Sequence, residues 1–395
     1  QELEDEGEGD NTIIFFYSDH GTGLPRHKRW LLDTGVKVPL IVYIPETFKK
    51  LYPAKPGSEI DRLVSFIDLA PTVLKLADAK IPKTMQGNAF LSKELIPERE
   101  YVHVARGRMD ERYDMQRGLR TKKFKYLRYY EPNKPFIQFM NTPESGPLMT
   151  ELRKAEKTQN LSKEAQQLVA PVKPKESLFD LEKDPFEFND LAKNPDYQSK
   201  LIELREAHNQ WMYNILDVGL IPEAIIRGWE KSKNKPIYQI LREDSSFYND
   251  LMLTSSSNNE KFLQNCLKHP NEAIRYQAAI GLYNLKFRVS DKTISLLQRT
   301  LMEDQVLNVS IAAGRALLKF GIKTKNILKK IAEGLAADNE WTRLQSALVT
   351  DDFNYAIQNL ESESKNLVKN DPNKYVVRVL NHALNTLNGT NNKVR

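Results

Sequence analysis

Asn11-Thr12-Ile13-Ile14-Phe15-Phe16-Tyr17-Ser18-Asp19-His20-Gly21 is the stretch on which the fold turns. Ile13 to Tyr17 is a short, continuous apolar run of β-branched and aromatic residues, which predicts a fully buried parallel strand. A carboxylate and an imidazole follow at once, and in open α/β sheets ligands collect beyond the carboxyl ends of the strands. Asp19 and His20 are therefore candidate ligands for a divalent ion, and Gly21 lets the chain turn away sharply. Taken alone, Ser18 to Gly21 also reads as a turn-capping Asp beside a surface His.

The residues on either side of this pair carry further chemistry. Leu24-Pro25-Arg26-His27-Lys28-Arg29-Trp30 sets three cations and an imidazole a few residues on, where an anionic group held by a metal needs a second clamp. Val38 to Pro45 reads as the next strand. Ser65-Phe66-Ile67-Asp68-Leu69-Ala70-Pro71-Thr72-Val73-Leu74, then Ile81 to Gly87, and later Glu176 to Ala192, complete a set of spaced motifs. Together they resemble the sulfatases of the alkaline phosphatase superfamily, over roughly residues 10 to 225.

That resemblance implies an α/β, alkaline-phosphatase-like fold with a small antiparallel C-terminal subdomain. It makes Asp19 and His20 metal ligands, Lys28 the cation that contacts the sulfate, and His27 a leaving-group or supporting contact. Gly35 to Pro39 matches the segment leading into the following strand. The implied ion is Ca²⁺, alternatively Mg²⁺ or Mn²⁺, and the implied substrate is a sulfate ester, in particular a sulfated glycan. A sulfatase of this kind also needs a formylglycine made from the Cys or Ser of Cys/Ser-x-Pro/Ala-x-Arg. Cys266, followed by Leu267-Lys268-His269-Pro270, does not fit that pattern and reads as a buried structural thiol. The expectation is a chain truncated at its amino end, whose nucleophile lies upstream, and which has no turnover by itself.

With His at position 20 instead of Asn, a phosphoester or phosphonate hydrolase of the same superfamily, using Mn²⁺ or Zn²⁺, stays open. So does a non-catalytic protein that binds through its tail. Formylglycine chemistry and phosphoester cleavage are separated by the identity of the nucleophile.

The 395 residues are 40% hydrophobic and 28% charged, enough for two or three domains with their own cores. No apolar run approaches the roughly 18 residues of a membrane span. A single cysteine excludes an intrachain disulfide and is compatible with the cytosol or a periplasm. The resemblance favours a periplasmic or secreted enzyme. The net charge of +6 is concentrated between Arg106 and Arg128. Two strands joined at Thr121-Lys122-Lys123 are expected there as a hairpin. Its basic strip, with Arg106 and Arg108 foremost, is a candidate contact for a polyanionic glycan; a solvated strand face is the other reading. No nucleic-acid motif accompanies the charge.

Beyond it, 148–168 is expected as one amphipathic helix and 197–216 as another, with His208 a structural histidine on its apolar stripe. After the polar run Thr254 to Asn259, small pairs recur at a spacing of 34: Ala278-Ala279, Ala312-Ala313 and Ser346-Ala347. Such a period is the signature of stacked helical repeats, here HEAT-like and able to dock a protein partner. The expected division is 1–95 for the end of the catalytic domain, 96–225 for its subdomain, 226–258 for a linker and 259–390 for the repeats.

Overall fold

The computed structural model describes residues 2–92 and 97–394, so the boundary expected at residue 95 lies outside the described residues. The chain divides into two compact units. The first holds residues up to Arg106, Gln116–Arg128 and Glu176–Arg205; the second holds Gly107–Met115, Tyr129–Lys175 and Glu206 onward.

The first unit opens on a single helical turn, α1 (Glu2–Asp5), and then strand β1 (Ile14–Tyr17). A second short turn, α2 (Asp33–Val36), precedes β2 (Leu40–Tyr43), which pairs with β1 in antiparallel register, Ile14 opposite Tyr43 and Phe16 opposite Ile41. The fully buried parallel strand read from Ile13 to Tyr17 is thus corrected. Ile14, Phe16, Ile41 and Tyr43 share one exposed face, with Phe16 and Ile41 each at least 60% accessible. An apolar run states that a strand tolerates burial, not how many layers cover it or which way its neighbour runs. On the other face Phe15 meets Phe90 edge to face at 6.4 Å.

Helix α3 (Leu69–Leu76) continues a 3-10 turn, Phe66–Asp68, that starts from a reciprocal cap in which Ser65 and Asp68 satisfy each other's backbone donors. Asp68 is buried, pairs with Arg99 and accepts from the Asn88 amide at 2.8 Å, tying the segment after the helix to its start.

Strands β3 (Val102–Met109), β4 (Arg112–Arg120), β5 (Phe124–Tyr129) and β6 (Glu176–Asp180) form a four-stranded sheet in that order. The hairpin expected at Thr121 to Lys123 is present, the Thr121 amide donating to the Phe124 carbonyl at 2.8 Å. β5 and β6 run antiparallel, with Tyr126 opposite Leu178.

In the second unit, a short turn α4 (Asn141–Glu144) leads to α5 (Pro147–Lys157) and α6 (Lys163–Val169). The single helix expected over 148–168 is therefore two. The backbone turns left-handed at Gln159 (φ 54°), and the Ser162 hydroxyl caps the second helix by accepting from the Ala165 amide. Helix α7 (Gln198–Ile215) follows as expected; within the second unit its His208 and Met212 are fully buried, and Nε2 of His208 lies 3.4 Å from the Tyr130 hydroxyl.

The stretch 226–258, expected as a linker, is instead largely helical: α8 (Glu223–Lys233), α9 (Ile237–Glu243) and α10 (Tyr248–Ser256). Ile225, Leu241, Tyr248 and Leu251 belong to the same core as the helices that follow. The polar run that suggested a spacer is the end of α10 and the Asn259 cap of the next helix.

Those next helices come as α11 (Glu260–Cys266) and α12 (Glu272–Asn284), α13 (Asp291–Glu303) and α14 (Leu307–Lys319), then α15 (Lys325–Leu335) and α16 (Glu340–Asp352). Short α17 (Asn354–Asn359) and α18 (Glu361–Asn370) precede α19 (Lys374–Asn388). α12 packs on α14, α14 on α16 and α16 on α19. Ala278, Ala279, Ala312, Ala313, Ser346 and Ala347 are all buried along α12, α14 and α16, where small side chains let helices approach. A second device recurs 68 residues apart: Arg275 forks onto Asp304 at 2.7 and 2.9 Å, and Arg343 onto Asp371 at 2.7 and 3.2 Å. Each Asp also accepts a backbone amide two residues on, so one ion pair fixes the turn between successive helix pairs.

Candidate functional site

The loop after β1 is folded back on α2 by close backbone contact. The Gly21 amide donates to the Gly35 carbonyl at 3.0 Å, and a Cβ on Gly21 would stand 1.9 Å from the Thr34 carbonyl oxygen. A Cβ on Gly35 would stand 2.2 Å from the His27 carbonyl oxygen, so only glycine fits at either position without moving backbone. The Lys28 amide donates to the Thr22 carbonyl at 2.9 Å, and Nδ1 of His27 lies 3.0 Å from the Thr22 hydroxyl. Asp19, His20, His27 and Lys28 are thereby gathered in one closed loop.

Within it, Nδ1 of His20 lies 2.7 Å from the Gly21 carbonyl oxygen, an acceptor, so Nδ1 carries a proton, and in that tautomer of the neutral ring Nε2 presents a lone pair. That atom lies 3.2 Å from Oδ2 of Asp19. Two lone-pair atoms this close need a proton or a cation between them. The spacing also suits neighbouring ligands of one six-coordinate ion, which sit about 3.3 Å apart when the bonds are near 2.3 Å. The donor set therefore fits a divalent ion as part of a shell. Among the described residues there is no group of three or more His, Cys, Asp and Glu side chains able to hold a metal.

The three neighbouring cations have different fates. Arg26, in left-handed backbone (φ 66°), donates to the carbonyls of Phe186 and Glu187 and stacks on the Phe188 ring at 4.1 Å. Arg29 also takes left-handed backbone (φ 78°). The half-buried Lys28 ammonium has no ion-pair or hydrogen-bond partner among the described residues, which leaves its charge available.

Beneath the loop lies a charge cluster that sequence reasoning missed. Lys125, fully buried, places Nζ 2.6 Å from Asp33, 3.0 Å from Glu187 and 3.0 Å from the Leu31 carbonyl oxygen. Arg120 donates to both Asp33 oxygens at 3.0 to 3.1 Å. Burial pushes the Asp33 carboxyl up, but the hydrogen bonds and charges of Arg120 and Lys125 outweigh it and hold the group below its ordinary range. For Glu187 burial prevails, and its carboxyl is raised despite Lys125. The signal available in the sequence was Asp33, next to Leu32 in the loop's own turn.

The basic strip read as a glycan contact is corrected by these pairings. Arg112 is buried against Asp351 at 2.6 Å, Arg117 is buried and donates to the Arg106 carbonyl, and Lys122 pairs with Asp61 and Glu98. Arg106 is 4% exposed. Arg108 binds Glu223 at 2.9 Å between the rings of Trp341 and Tyr375, its carbon 4.6 and 4.8 Å from their centroids, at a cavity of about 60 Å³. Charges this closely packed on a sheet are matched internally, because unpaired burial is costly.

Residues 25–175 match the family model described as N-sulphoglucosamine sulphohydrolase, C-terminal. A protein named ulvan-active sulfatase from Formosa agariphila is 40% identical over 239 residues, 60% of this chain and 39% of that protein. The N-acetylglucosamine-6-sulfatase of Bos taurus is 43% identical over 95 residues, covering 22% of this chain and 16% of that one. A protein named N-acetylglucosamine-6-O-sulfatase from Bacteroides thetaiotaomicron is 31% identical over 141 residues, 32% of this chain and 24% of that protein. The chain spans less than half the length of each of these curated relatives.

Proposed function

We propose that this chain is the C-terminal part of a formylglycine-dependent sulfatase that hydrolyses sulfate esters on sulfated glycans. The observation that carries the reading is the closed loop in which Nε2 of His20 and Oδ2 of Asp19 stand 3.2 Å apart and whose Lys28 ammonium has no partner among the described residues, within a chain 40% identical over 239 residues to a protein named ulvan-active sulfatase. In this reading Asp19 and His20 hold part of a divalent ion's shell, Ca²⁺ first and Mg²⁺ or Mn²⁺ as alternatives. The ion, when bound, offsets negative charge on the sulfate oxygens. The Gly21 carbonyl keeps the His20 lone pair aimed outward. Lys28 contributes a charge-assisted contact to a sulfate oxygen, and His27, oriented through Thr22, stands by the leaving alcohol. The nucleophile is a formylglycine supplied upstream of these residues.

Arg106 and Arg108 drop out of the substrate-contact set, since burial and the Glu223 pair occupy them. The helical tail we infer to be a HEAT-like array of about 259–390, supported by the 34-residue recurrence of buried small pairs. Among the described residues no helix is long and apolar enough to cross a membrane. Sulfated polysaccharides are met outside the cytoplasm, so this reading puts the intact enzyme in the periplasm or outside the cell.

The test is product analysis on the whole protein, offered an aryl sulfate and an aryl phosphate of the same alcohol. Release of free sulfate in excess of orthophosphate is expected. A preference for the phosphate would favour the phosphoester-hydrolase reading that His20 leaves open.

A further inference from the structure

The second unit carries a groove of about 800 Å³ that the proposed chemistry does not use. It lies between the α12–α13 turn, the α14–α15 turn and the segment holding Asn133 and Val172. Its floor is apolar: Leu285 and Val289 are 2% and 5% exposed. Its rim is not. Lys286, Phe287 and Arg288 are consecutive and exposed, with the Phe287 ring half accessible.

Among the described residues, neither Lys286 nor Arg288 has an ion-pair or hydrogen-bond partner. A third cation, Lys319, donates to the Leu285 carbonyl at 2.8 Å and so holds its charge at the groove wall. Against these three stands one lining acid, Asp291. A chain of rings bearing anionic substituents meets both features: apolar ring faces suit the floor and Phe287, and the anions suit the two unpaired cations. The size falls within the range of ligand clefts.

We propose that this groove binds a sulfated polysaccharide chain, as a second contact separate in sequence from the Asp19 loop. The proposal rests on the sulfated-glycan reading for its choice of polyanion. Its test reads binding alone, so the two fail separately.

The full chain is titrated with dextran sulfate and with unsulfated dextran. Binding of the sulfated chain alone is expected. Lys286→Ala with Arg288→Ala should weaken it about tenfold or more, as two charge-assisted contacts are lost. Phe287→Ala should weaken it roughly three- to tenfold through the lost ring contact. These residues are exposed, so a matched circular dichroism spectrum and melting point confirm folding. Undiminished binding by the double variant overturns the proposal, as does equal affinity for poly-L-glutamate with no effect of Phe287→Ala, which would mark an unselective acidic-peptide surface. Neither result touches the sulfatase reading, which stands or falls on sulfate release.

Discussion

Asp19→Ala or Lys28→Ala in the intact enzyme is expected to lower the rate of sulfate ester hydrolysis by roughly two to four orders of magnitude, measured as kcat/KM on an aryl sulfate. That range is what the loss of one preorganised electrostatic contact costs when charge builds up in a transition state. Asp19 is the more exposed of the two proposed ligands, its side chain 82% accessible against 36% for His20, so its removal leaves the packing of the loop intact. The loop is held instead by Gly21, Thr22, Gly35 and the Lys28 amide, all backbone or small side chains. Lys28→Ala likewise removes an ammonium with no partner among the described residues and should leave stability unchanged. The loss should fall mainly on kcat for Lys28 if its contact tightens in the transition state. A wild-type rate in either variant would show that these residues do not take part.

Lys125→Ala is expected to destabilise the first unit by about 3–5 kcal/mol, measured by denaturant unfolding, because it strands two buried carboxylates without their shared cation. Asp33 and Glu187 both lie within 3.0 Å of its ammonium, and no side chain atom of Lys125 reaches solvent. Lys125→Met, which keeps the stem and loses only the charge, should recover little of this. Acid should weaken the cluster through Asp33. Its folded carboxyl is held below its ordinary value, so its contribution is present above about pH 4 and is lost as the pH falls through the folded value. Glu187, raised by burial, acts in the opposite sense: its protonated form is favoured on folding, and that contribution is lost as the pH rises through its folded value. A loss below about 1 kcal/mol in Lys125→Ala would mean water reaches the cluster and screens it.

What was legible in the sequence is what local chemistry decides. The turn at Ser18 to Gly21, the hairpin at Thr121 to Lys123, the helix through His208 and the buried Cys266 depend on residues close in the chain. The likeness to sulfatases, which the family model matches over residues 25–175, was legible for the same reason, since its motifs are short. What failed depends on distant partners. β5 is buried on both faces, Lys125, Tyr126 and Leu127 in succession, and Lys125 tolerates burial because Asp33 and Glu187, 92 and 62 residues away, meet its ammonium. The polar run at Thr254 to Asn259 looked like a spacer because Ser and Asn serve helix ends as well as linkers; here Asn259 caps α11 and Thr254 is buried in α10. The apolar run of β1 was read as buried although Phe16 is largely exposed, because composition does not report what packs on a strand.

The most direct measurement is calorimetric titration of the chelator-treated intact enzyme with Ca²⁺, comparing wild type with Asp19→Ala. Saturable binding in the wild type, weakened about tenfold or more in the variant, is expected if Asp19 and His20 ligate the ion. Equal affinity in the two proteins would contradict the assignment of this loop as a metal site.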